Sequence, residues 1–392
     1  MTDAASSHAD LVRLLSRVDQ AGTRRELAGF PAWSQEGGSA GYAHFVDVAA
    51  LDDEPRLAWR RSWTEGRFLV LASPLGIVAT DAGRLDIVDP RSGETRTTLP
   101  GGKVWALSGD TVAAARRASD GRWEVAFHDL WTGGARTTIP LAAEPWHIGI
   151  TQRLLLVGVE TSLTAYALDN ERERATLTWT RAIEDRRQHW SSRYLATATL
   201  VLVQDASRVV ALDPQTGETR WTRDECQLKR ADASGVAVRP LSSSGYDLLG
   251  VDGSLLLSDP RASWADALAP GFIVSLAMGH HPYRDEDPYS LSFLDRQSKE
   301  KTDFWEAECR RGPLVAAARD VVYVEYDNDT VLAHGLGRGR MWRIDIERVC
   351  GTGRVCDATT AGRRHGEIWG LVPMPRGLLV VAQHGLICLS HR

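Results

Sequence analysis

Cysteine and histidine side chains come together near the C-terminal end of the sequence, in the stretch Cys350-Gly-Thr-Gly-Arg-Val-Cys356 and at His365. Thiolates and imidazoles are ligands that zinc prefers, and a structural zinc site usually has four of them, with paired cysteines two to four residues apart. Here five residues separate the two cysteines, and Asp357 is a poor fourth ligand. Cys350, Cys356 and His365 are therefore candidate metal ligands, and the alternative is a surface loop with two free thiols.

A second group of side chains that could do chemistry lies between Met278 and Pro288. It consists of His280, His281, Asp285, Glu286 and Asp287. Such residues can bind a divalent cation or supply an acid–base pair. The flanking prolines and the polar composition instead predict a solvated hairpin tip, and long loops on a rigid scaffold are common recognition surfaces. We therefore interpret this loop as an interaction surface.

Other chemistry-bearing motifs are incomplete or missing. Asp327-Asn-Asp329 resembles part of a calcium-binding loop, but the glycine and the distal glutamate of such a loop do not follow, so we expect a hairpin turn. The sequence contains neither a phosphate-binding P-loop nor a His-Glu-x-x-His motif. We predict no catalytic residues and no cofactor, and an enzyme is the less favoured interpretation.

Charge and composition restrict the class of partner. The chain has 46 basic and 51 acidic residues and a formal net charge of -5, whereas a nucleic-acid-binding surface needs a basic field. No window approaches 18 consecutive apolar residues, and the first ten residues lack the features of a secretory signal. We therefore expect no nucleic-acid binding and no membrane insertion. With five cysteines and no export signal, we expect reduced thiols and a cytoplasmic location.

The elements that must position any site are repeated. The stretch Val209-Val-Ala-Leu-Asp-Pro-Gln-Thr-Gly-Glu-Thr-Arg-Trp221 reads as a strand, a tight turn and a second strand ending in tryptophan. An aspartate at the end of an apolar strand recurs at Asp89, Asp129, Asp169, Asp213, Asp259 and Asp295, with His334 in the next corresponding place. A tryptophan of the outer strand recurs at Trp179, Trp221, Trp264, Trp305 and Trp342. A period near 40 residues with four short strands predicts propeller blades, as in WD40-like repeats.

The turns share the pattern Asp-x-x-Ser/Thr-Gly, as in Asp89-Pro-Arg-Ser-Gly93 and Asp213-Pro-Gln-Thr-Gly217. The aspartate carboxylate can accept hydrogen bonds from following backbone amides, and glycine can adopt the positive φ that closes the hairpin. The tryptophan can then pack between neighbouring sheets, where its large area contributes to burial. These residues are accounted for by the scaffold without a catalytic role.

The repeats predict an all-β, eight-bladed β-propeller over residues 56–392, with seven blades as the alternative. The expected inner strands begin near Phe68, Val104, Trp146, Tyr194, Val236, Phe272, Leu314 and Ile368. The last unit lacks an outer strand, and Leu57-Ala-Trp-Arg-Arg-Ser-Trp63 resembles the missing one. Pairing of the N- and C-terminal strands would close the ring and leave no unpaired sheet edge between the two ends.

Residues 1–55 form a separate segment. Leu11, Leu14, Leu15 and Val18 fall at helical spacing, which predicts a short amphipathic helix between His8 and Leu27, followed by a glycine-rich linker. A short strand between Tyr42 and Leu51 is also expected. The helix packs on the edge of the propeller or, alternatively, docks on a partner.

The stretch Val209–Trp221 resembles the repeat of the quinoprotein-like (PQQ-like) β-propeller superfamily. That superfamily includes quinone-dependent alcohol dehydrogenases and a lipoprotein of the outer-membrane protein assembly machinery. The resemblance implies the propeller fold over about residues 66–392. The dehydrogenases have an adjacent cysteine pair and often a Cys-x-x-Cys-His motif, both of which are missing here, so the resemblance implies a branch without dehydrogenase activity.

We predict a non-catalytic interaction scaffold, a propeller subunit of a cytoplasmic, bacterial multiprotein assembly. The alternative is an enzyme or a sensor of a small molecule or metal, with its site at the mouth of the propeller channel. Exposed aromatic and arginine side chains dominate many interfaces. The candidate partner-binding residues, which lie in loops or interrupt the repeat, are Trp131, Arg186, Arg187, Trp190, His280, His281 and Tyr283.

Overall fold

The computed structural model confirms the eight-bladed propeller. It describes residues 45–46, 50–51, 53–62, 70–81, 84–151, 153–169, 174–183, 194–197, 199–260, 264–278, 288–308, 314–326, 329–350, 368–374, 377–382 and 385–391. Within these residues the chain forms eight antiparallel sheets of four strands, one of which carries an additional strand. In the described part of the chain, no helix is long and apolar enough to cross a membrane.

Two strands, β1 (Phe45–Val46) and β2 (Arg56–Ser62), precede the first complete blade. Blades one to four follow, each written from its innermost to its outermost strand. Blade one has β3 (Val70–Ser73), β4 (Gly76–Asp81), β5 (Arg84–Val88) and β6 (Thr95–Leu99). Blade two has β7 (Val104–Ser108), β8 (Thr111–Arg117), β9 (Trp123–Asp129) and β10 (Ala135–Leu141). Blade three has β11 (Pro145–Ile150), β12 (Leu154–Val159), β13 (Ser162–Leu168) and β14 (Ala175–Ala182). Blade four has β15 (Tyr194–Ala196), β16 (Val201–Asp205), β17 (Arg208–Leu212) and β18 (Thr219–Arg223).

The remaining blades continue the same order. Blade five has β19 (Cys226–Ala231), β20 (Val236–Pro240), β21 (Tyr246–Leu249) and β22 (Leu255–Asp259). Blade six has β23 (Trp264–Leu268), β24 (Phe272–Met278), β25 (Pro288–Asp295) and β26 (Lys301–Glu308). Blade seven has β27 (Val315–Ala318), β28 (Val321–Tyr326), β29 (Thr330–Gly335) and β30 (Gly339–Asp345), and the short helix α1 (Ile346–Cys350) follows it. Blade eight has β31 (Ile368–Met374), β32 (Gly377–Ala382) and β33 (Gly385–Ser390), with β2 as its outermost strand.

The predicted turn chemistry is confirmed in blades one, two and four. The Asp213 carboxylate accepts hydrogen bonds from the backbone N–H groups of Gln215 and Thr216, at 2.8 and 3.0 Å, and Gly217 has a φ of +72°. An arginine seven residues after the aspartate completes each turn. The ion pairs Asp89–Arg96, Asp129–Arg136 and Asp213–Arg220 have N···O distances of 2.8, 2.6 and 2.6 Å.

Tryptophans join neighbouring blades, as the sequence predicts. The indole N–H groups of Trp59, Trp179 and Trp221 donate to the carbonyls of Pro90, Pro214 and Val251 in the turn of the following blade, at 2.9–3.0 Å. Each ring lies against the glycine of that turn, so that a Cβ added to Gly217 would lie 2.7 Å from the Trp179 ring. Turn and tryptophan therefore form one interlocking contact between blades.

Two predicted landmarks in blades five and six are wrong. Asp259 ends the outermost strand β22, and Trp264 begins β23, the innermost strand of blade six, instead of an outer strand. The predicted inner strands at Val236 and Phe272 are second strands for the same reason. The displacement arises because Gly250 follows the third strand of blade five, where blades one to four and six have aspartate, and β22 contains no tryptophan to mark the outer strand.

The assignment of His334 to the aspartate position also needs correction. Ala333 pairs with Trp342 as Ala211 pairs with Trp221, so Gly335 holds the place of the aspartate. The turn of blade seven is one residue shorter than that of blade four. Counting eight residues back from Trp342 therefore reaches His334, which lies within the buried strand β29. There its ring packs on Phe304, with 4.9 Å between the ring centroids.

The predicted closure by the chain ends is confirmed: β2 pairs antiparallel with β33 from Arg56↔Ser390 to Ser62↔Gly385. The expected short strand before it is β1, which pairs in parallel with β27, on the axial side of blade seven. Between them, the Leu51 N–H donates to the Tyr323 hydroxyl and the Leu51 carbonyl accepts from the Trp342 indole, both at 2.8 Å. Leu51 thus takes the place of the turn carbonyl that other blades offer to a tryptophan. The predicted helix between His8 and Leu27 lies outside the described residues.

Candidate functional site at the loop face of the channel

The order of the strands assigns every connection to one of the two faces of the propeller. The first-to-second and third-to-fourth connections of each blade lie on one side, which we call the turn face, and they are no longer than six residues. The second-to-third connections and the crossings to the next blade lie on the other side, which we call the loop face. The three longest connections, which follow Ile183, Met278 and Asp345 and lead to Tyr194, Pro288 and Ile368, all belong to the loop face.

These connections contain most of the residues predicted to bind partners or metal. The side chains of Arg186, Arg187, Trp190, His280, His281, Tyr283, Cys350, Cys356 and His365 lie outside the described residues. The topology nevertheless attaches all three connections to the same face. Within the described part of the chain, no group of three or more His, Cys, Asp or Glu side chains could hold a metal ion.

Trp131 lies on the opposite, turn face, in the turn that begins at Asp129. Its backbone N–H donates to the Asp129 carboxylate at 2.9 Å, and the Arg96 guanidinium lies 3.8 Å from the centre of its ring. The half-buried ring packs against the buried apolar cluster that blades one and two share. Trp131 therefore has a packing role between blades one and two, and its predicted role in partner binding stays a prediction.

The innermost strands begin at the loop face, and four of them carry a β-bulge, near this end in β11 and β31 and near the middle of the strand in β19 and β23. The bulges insert one extra residue each into β11, β19, β23 and β31, namely Trp146, Lys229, Asp266 and Trp369. Bulges re-aim side chains and are frequent beside functional sites. Two of the four bulges thus place aromatic residues near the loop-face end, and the other two place charged residues in the middle of innermost strands.

A charged cluster joins the innermost strands of blades five and six. The Arg230 Nε donates to the Ala265 carbonyl at 2.7 Å, and the guanidinium lies 3.6 Å from Oδ1 of Asp266. Asp266 is only 9% exposed, and its Oδ2 has no hydrogen-bond partner in the described structure. Burial raises the pKa of this carboxyl to about 6, against the opposing charge of Arg230.

Lys229 adds a second cation to the cluster. Its ammonium donates to the Gln227 side-chain oxygen at 3.1 Å, and among the described residues it forms no ion pair. Burial lowers its pKa, and the charges of Arg239 and Arg230 lower it further. Arg239 lies opposite Gln227 on the neighbouring strand, so Lys229 lies between the charges of two arginines, of which Arg230 also contacts Asp266.

An aromatic group lies at the loop-face end of blades three and four. The ring centroids of Trp146 and Tyr194 are 4.8 Å apart, and those of His147 and Tyr194 are 5.9 Å apart. Burial lowers the pKa of His147 to about 4, so its imidazole is neutral near pH 7. The loop-face end of the channel thus combines neutral aromatic surface with cationic donors.

The cluster can bind more readily than it can react. Lys229 can donate charge-assisted hydrogen bonds to a carboxylate or phosphate, and the free oxygen of Asp266 can accept from a donor on a ligand. Perturbed pKa values of this kind are common at functional sites, although ion-pair networks produce them as well. The buried thiols of Cys226 and Cys388 have pKa values raised by burial to about 11 and 12, which makes them poor nucleophiles at neutral pH.

The sequence interpretation missed Lys229, Arg230 and Asp266. A signal was present, since Gln227-Leu-Lys-Arg230 places two adjacent cations in a strand whose other repeats are mostly apolar. The strand was assigned to the wrong position in its blade, because the landmarks of blades five and six were displaced. That error separated Lys229 from Asp266, which the fold brings to neighbouring innermost strands.

Comparison with solved structures supports the propeller fold. The crystal structure of BamB from Moraxella catarrhalis is 14% identical, covers 86% of this chain and 100% of its own, and has a TM-score of 0.57. The WD40 domain of SCAP from fission yeast is 10% identical, covers 87% of this chain and 98% of its own, and has a TM-score of 0.56. Saccharomyces cerevisiae Sqt1 is 9% identical, with 81% and 93% coverage and a TM-score of 0.51. No family model and no curated protein matches the sequence. At these identities, the likeness shows a β-propeller.

Proposed function

We propose that this protein is a non-catalytic interaction platform, a propeller subunit of a multiprotein assembly that binds its partners on the loop face. The observation that carries the proposal is topological: the three longest connections all belong to one face, and the Lys229 ammonium reaches Gln227 near the same end of β19. The opposite face consists of short turns. Recognition on rigid scaffolds commonly resides in such long loops.

The recurring aspartates and tryptophans of the repeat are engaged in structural contacts, so few of them are available for catalysis. The turn aspartates are engaged by backbone amides and arginines, and the tryptophans are engaged by the carbonyls of the following blade. The same repeat, an Asp-x-x-Ser/Thr-Gly turn beneath a tryptophan, supports our further proposal that the chain belongs to the quinoprotein-like superfamily. We propose a cytoplasmic location in a bacterium on the sequence features alone.

The charged cluster would contribute to partner binding through an acidic side chain. Lys229 offers donors that no carboxylate satisfies among the described residues, and Arg230 and Arg239 raise the positive potential around it. A carboxylate that reaches Lys229 would form charge-assisted hydrogen bonds in a partly desolvated setting.

The test begins with affinity purification of the tagged protein from its own host and identification of the proteins that accompany it. The same capture is then repeated with Arg186→Ala/Arg187→Ala, with Lys229→Ala, and with Arg91→Ala, an exposed turn-face control. We expect the loop-face variants to lose at least tenfold of the captured partner and the control to retain it. Loss in the control alone, or full capture by both loop-face variants, would overturn the proposal.

A sensor of a small molecule is the second candidate, and the unpaired Oδ2 of the buried Asp266 favours it. A small ligand with a hydrogen-bond donor would satisfy the Asp266 oxygen. Native mass spectrometry of the protein purified from its host should then show an added mass that Asp266→Ala removes. Protein of the unmodified chain mass, together with partner capture, would exclude this candidate.

A further inference from the structure

The outermost strand of blade five, β22, differs from the other outermost strands of the propeller. The other seven each contain at least one arginine or lysine, whereas β22 reads Leu-Leu-Leu-Ser-Asp. Cations on an edge strand discourage pairing with another chain. The rim of blade five therefore lacks the protection that the other blades have.

Exposed aliphatic side chains replace those charges. Leu255 and Leu256 are 54% and 43% exposed, and Val251 in the preceding turn is 39% exposed. Isolated exposed leucines are ordinary, such as Leu177 on β14 at 58%. Three within six residues, beside a strand edge with no partner among the described residues, form a patch.

Two positions of blade five differ together from the corresponding ion pair of blade four. Arg220 lies in the bulge of β18 and pairs with Asp213, and the corresponding bulge residue of β22 is Leu256. Gly250 holds the place of the aspartate, and a Cβ there would lie 3.6 Å from Cδ2 of Leu256. Blade five has thus exchanged both members of the ion pair, and the exchange leaves apolar surface where blades one, two and four have a satisfied salt bridge.

The small exposed area of the patch and the strand edge beside it limit what can bind there. Three half-exposed aliphatic side chains offer on the order of 200–300 Å², well below the roughly 800 Å² per partner of a stable protein interface. Apolar burial at this rim is therefore too small to hold a second copy of the chain. The strand edge adds a row of backbone donors and acceptors, which only another extended backbone can satisfy along its length.

We propose that β22 is a docking strand for an extended segment of a partner protein, which adds to blade five as a fifth strand and places aliphatic side chains on Val251, Leu255 and Leu256. Main-chain hydrogen bonds supply the affinity, and the aliphatic patch selects apolar residues at alternate positions. This surface is separate from the loop face, because Val251 lies in a third-to-fourth connection, on the turn face.

The test uses a displayed library of random twelve-residue peptides, selected on the full-length protein. We expect enriched peptides with aliphatic residues at alternate positions. A synthetic copy of the leading peptide, labelled for fluorescence anisotropy, should bind the wild type and lose at least tenfold in affinity with Leu255→Arg/Leu256→Arg. The control, Leu177→Arg, places an arginine on an isolated exposed leucine of another outermost strand and should leave the affinity unchanged.

Three results would overturn the proposal. The first is enrichment of no peptide, and the second is equal binding by the Leu255→Arg/Leu256→Arg variant. The third is a wild-type dimer in light scattering that this variant converts to a monomer, since a second copy would then be the occupant. If the double variant does not fold by circular dichroism, Leu255→Thr/Leu256→Thr serves in its place. Lys229→Ala should bind the peptide normally, so failure here is distinguishable from failure at the loop face.

Discussion

The contact between Gly217 and Trp179 shows how single residues determine the packing of blades. Gly217 has a φ of +72°, and a Cβ would lie 2.7 Å from the Trp179 ring. Two separate requirements therefore fall on one residue: a left-handed backbone and the absence of a side chain. The sequence pattern Asp-x-x-Thr-Gly indicated the first requirement, and the structure adds the second.

Gly217→Ala should lower the free energy of unfolding by about 2–4 kcal/mol, because it combines a left-handed alanine with a clash against the tryptophan. Gly121→Ala is the matched control, since Gly121 has a φ of +82° and nothing within 4 Å of an added Cβ. The control should cost about 1–2 kcal/mol. Equal losses for the two variants in chemical denaturation would contradict the tryptophan contact.

Asp266 gives the folded protein a pH-dependent stability. Its native pKa of about 6 lies above its ordinary value of 3.8, because burial disfavours the carboxylate. The protonated carboxyl is therefore favoured in the native state. The stability that it contributes is complete below about pH 4 and is lost as the pH rises through 6.

Asp266→Asn should consequently raise the melting temperature relative to the wild type at pH 8, and the gain should shrink toward pH 4. The amide keeps the size of the side chain and carries no charge to desolvate. Melting curves of both proteins between pH 4 and 8 measure the difference. A gain that does not change with pH, or a loss confined to pH 8, would show that ionisation of Asp266 costs the fold nothing.

At the scale of elements, the eighth blade is assembled from both ends of the chain and therefore has no covalent turn before its outer strand. Leu51 supplies the missing carbonyl to Trp342, and Tyr323 supplies an acceptor to the Leu51 N–H. All three residues are buried. The segment before β2 thus completes the interlocking contact that the turns make elsewhere.

Trp342→Phe should lower the free energy of unfolding by about 1–3 kcal/mol, because the buried Leu51 carbonyl loses its donor. Trp221→Phe removes the equivalent hydrogen bond to Val251 at an exposed position, where water can replace it. This control should cost less than about 1 kcal/mol from the lost bond. Denaturant titration of the two variants compares them directly, and a larger loss in Trp221→Phe would argue against the role of Leu51.

At the scale of the whole molecule, the ring depends on the pairing of β2 with β33. Removal of β2 would expose the β33 edge, whose residues Leu386–Leu389 are buried in the closed ring. An unprotected apolar edge favours association with other chains. Closure therefore protects the fold from aggregation as well as stabilising it.

A chain that begins at residue 45 should remain folded, because it keeps β1, Leu51 and β2. A chain that begins at residue 63 should self-associate or lose its cooperative melting transition. Light scattering and circular dichroism distinguish these outcomes, and a synthetic peptide of residues 50–62 added to the shorter chain should reduce its association. A monomeric, cooperatively melting chain from residue 63 would contradict the role of β2.

The sequence determined the architecture because a propeller repeats local chemistry. The turn aspartates and glycines, the apolar strands and the β2–β33 closure each depend on residues close in sequence or on a pattern that recurs. Where blade five lost its aspartate and its tryptophan, the same reasoning placed Asp259 and Trp264 on the wrong strands. Strand assignments made from local patterns are therefore wrong at the blades that lack the aspartate and tryptophan of the repeat.

Tertiary structure alone decided the candidate sites. Arg230 and Asp266 come together because innermost strands of adjacent blades meet around the channel, and no repeat pattern in the sequence indicates which of their residues will be in contact. The grouping of the long connections on one face follows from alternating strand direction once the strands are correctly assigned. The exposed patch on β22 depends on burial, since its leucines read in the sequence as part of a core strand. Pattern determines which element forms, and the packing of elements decides which side chains remain available to a partner.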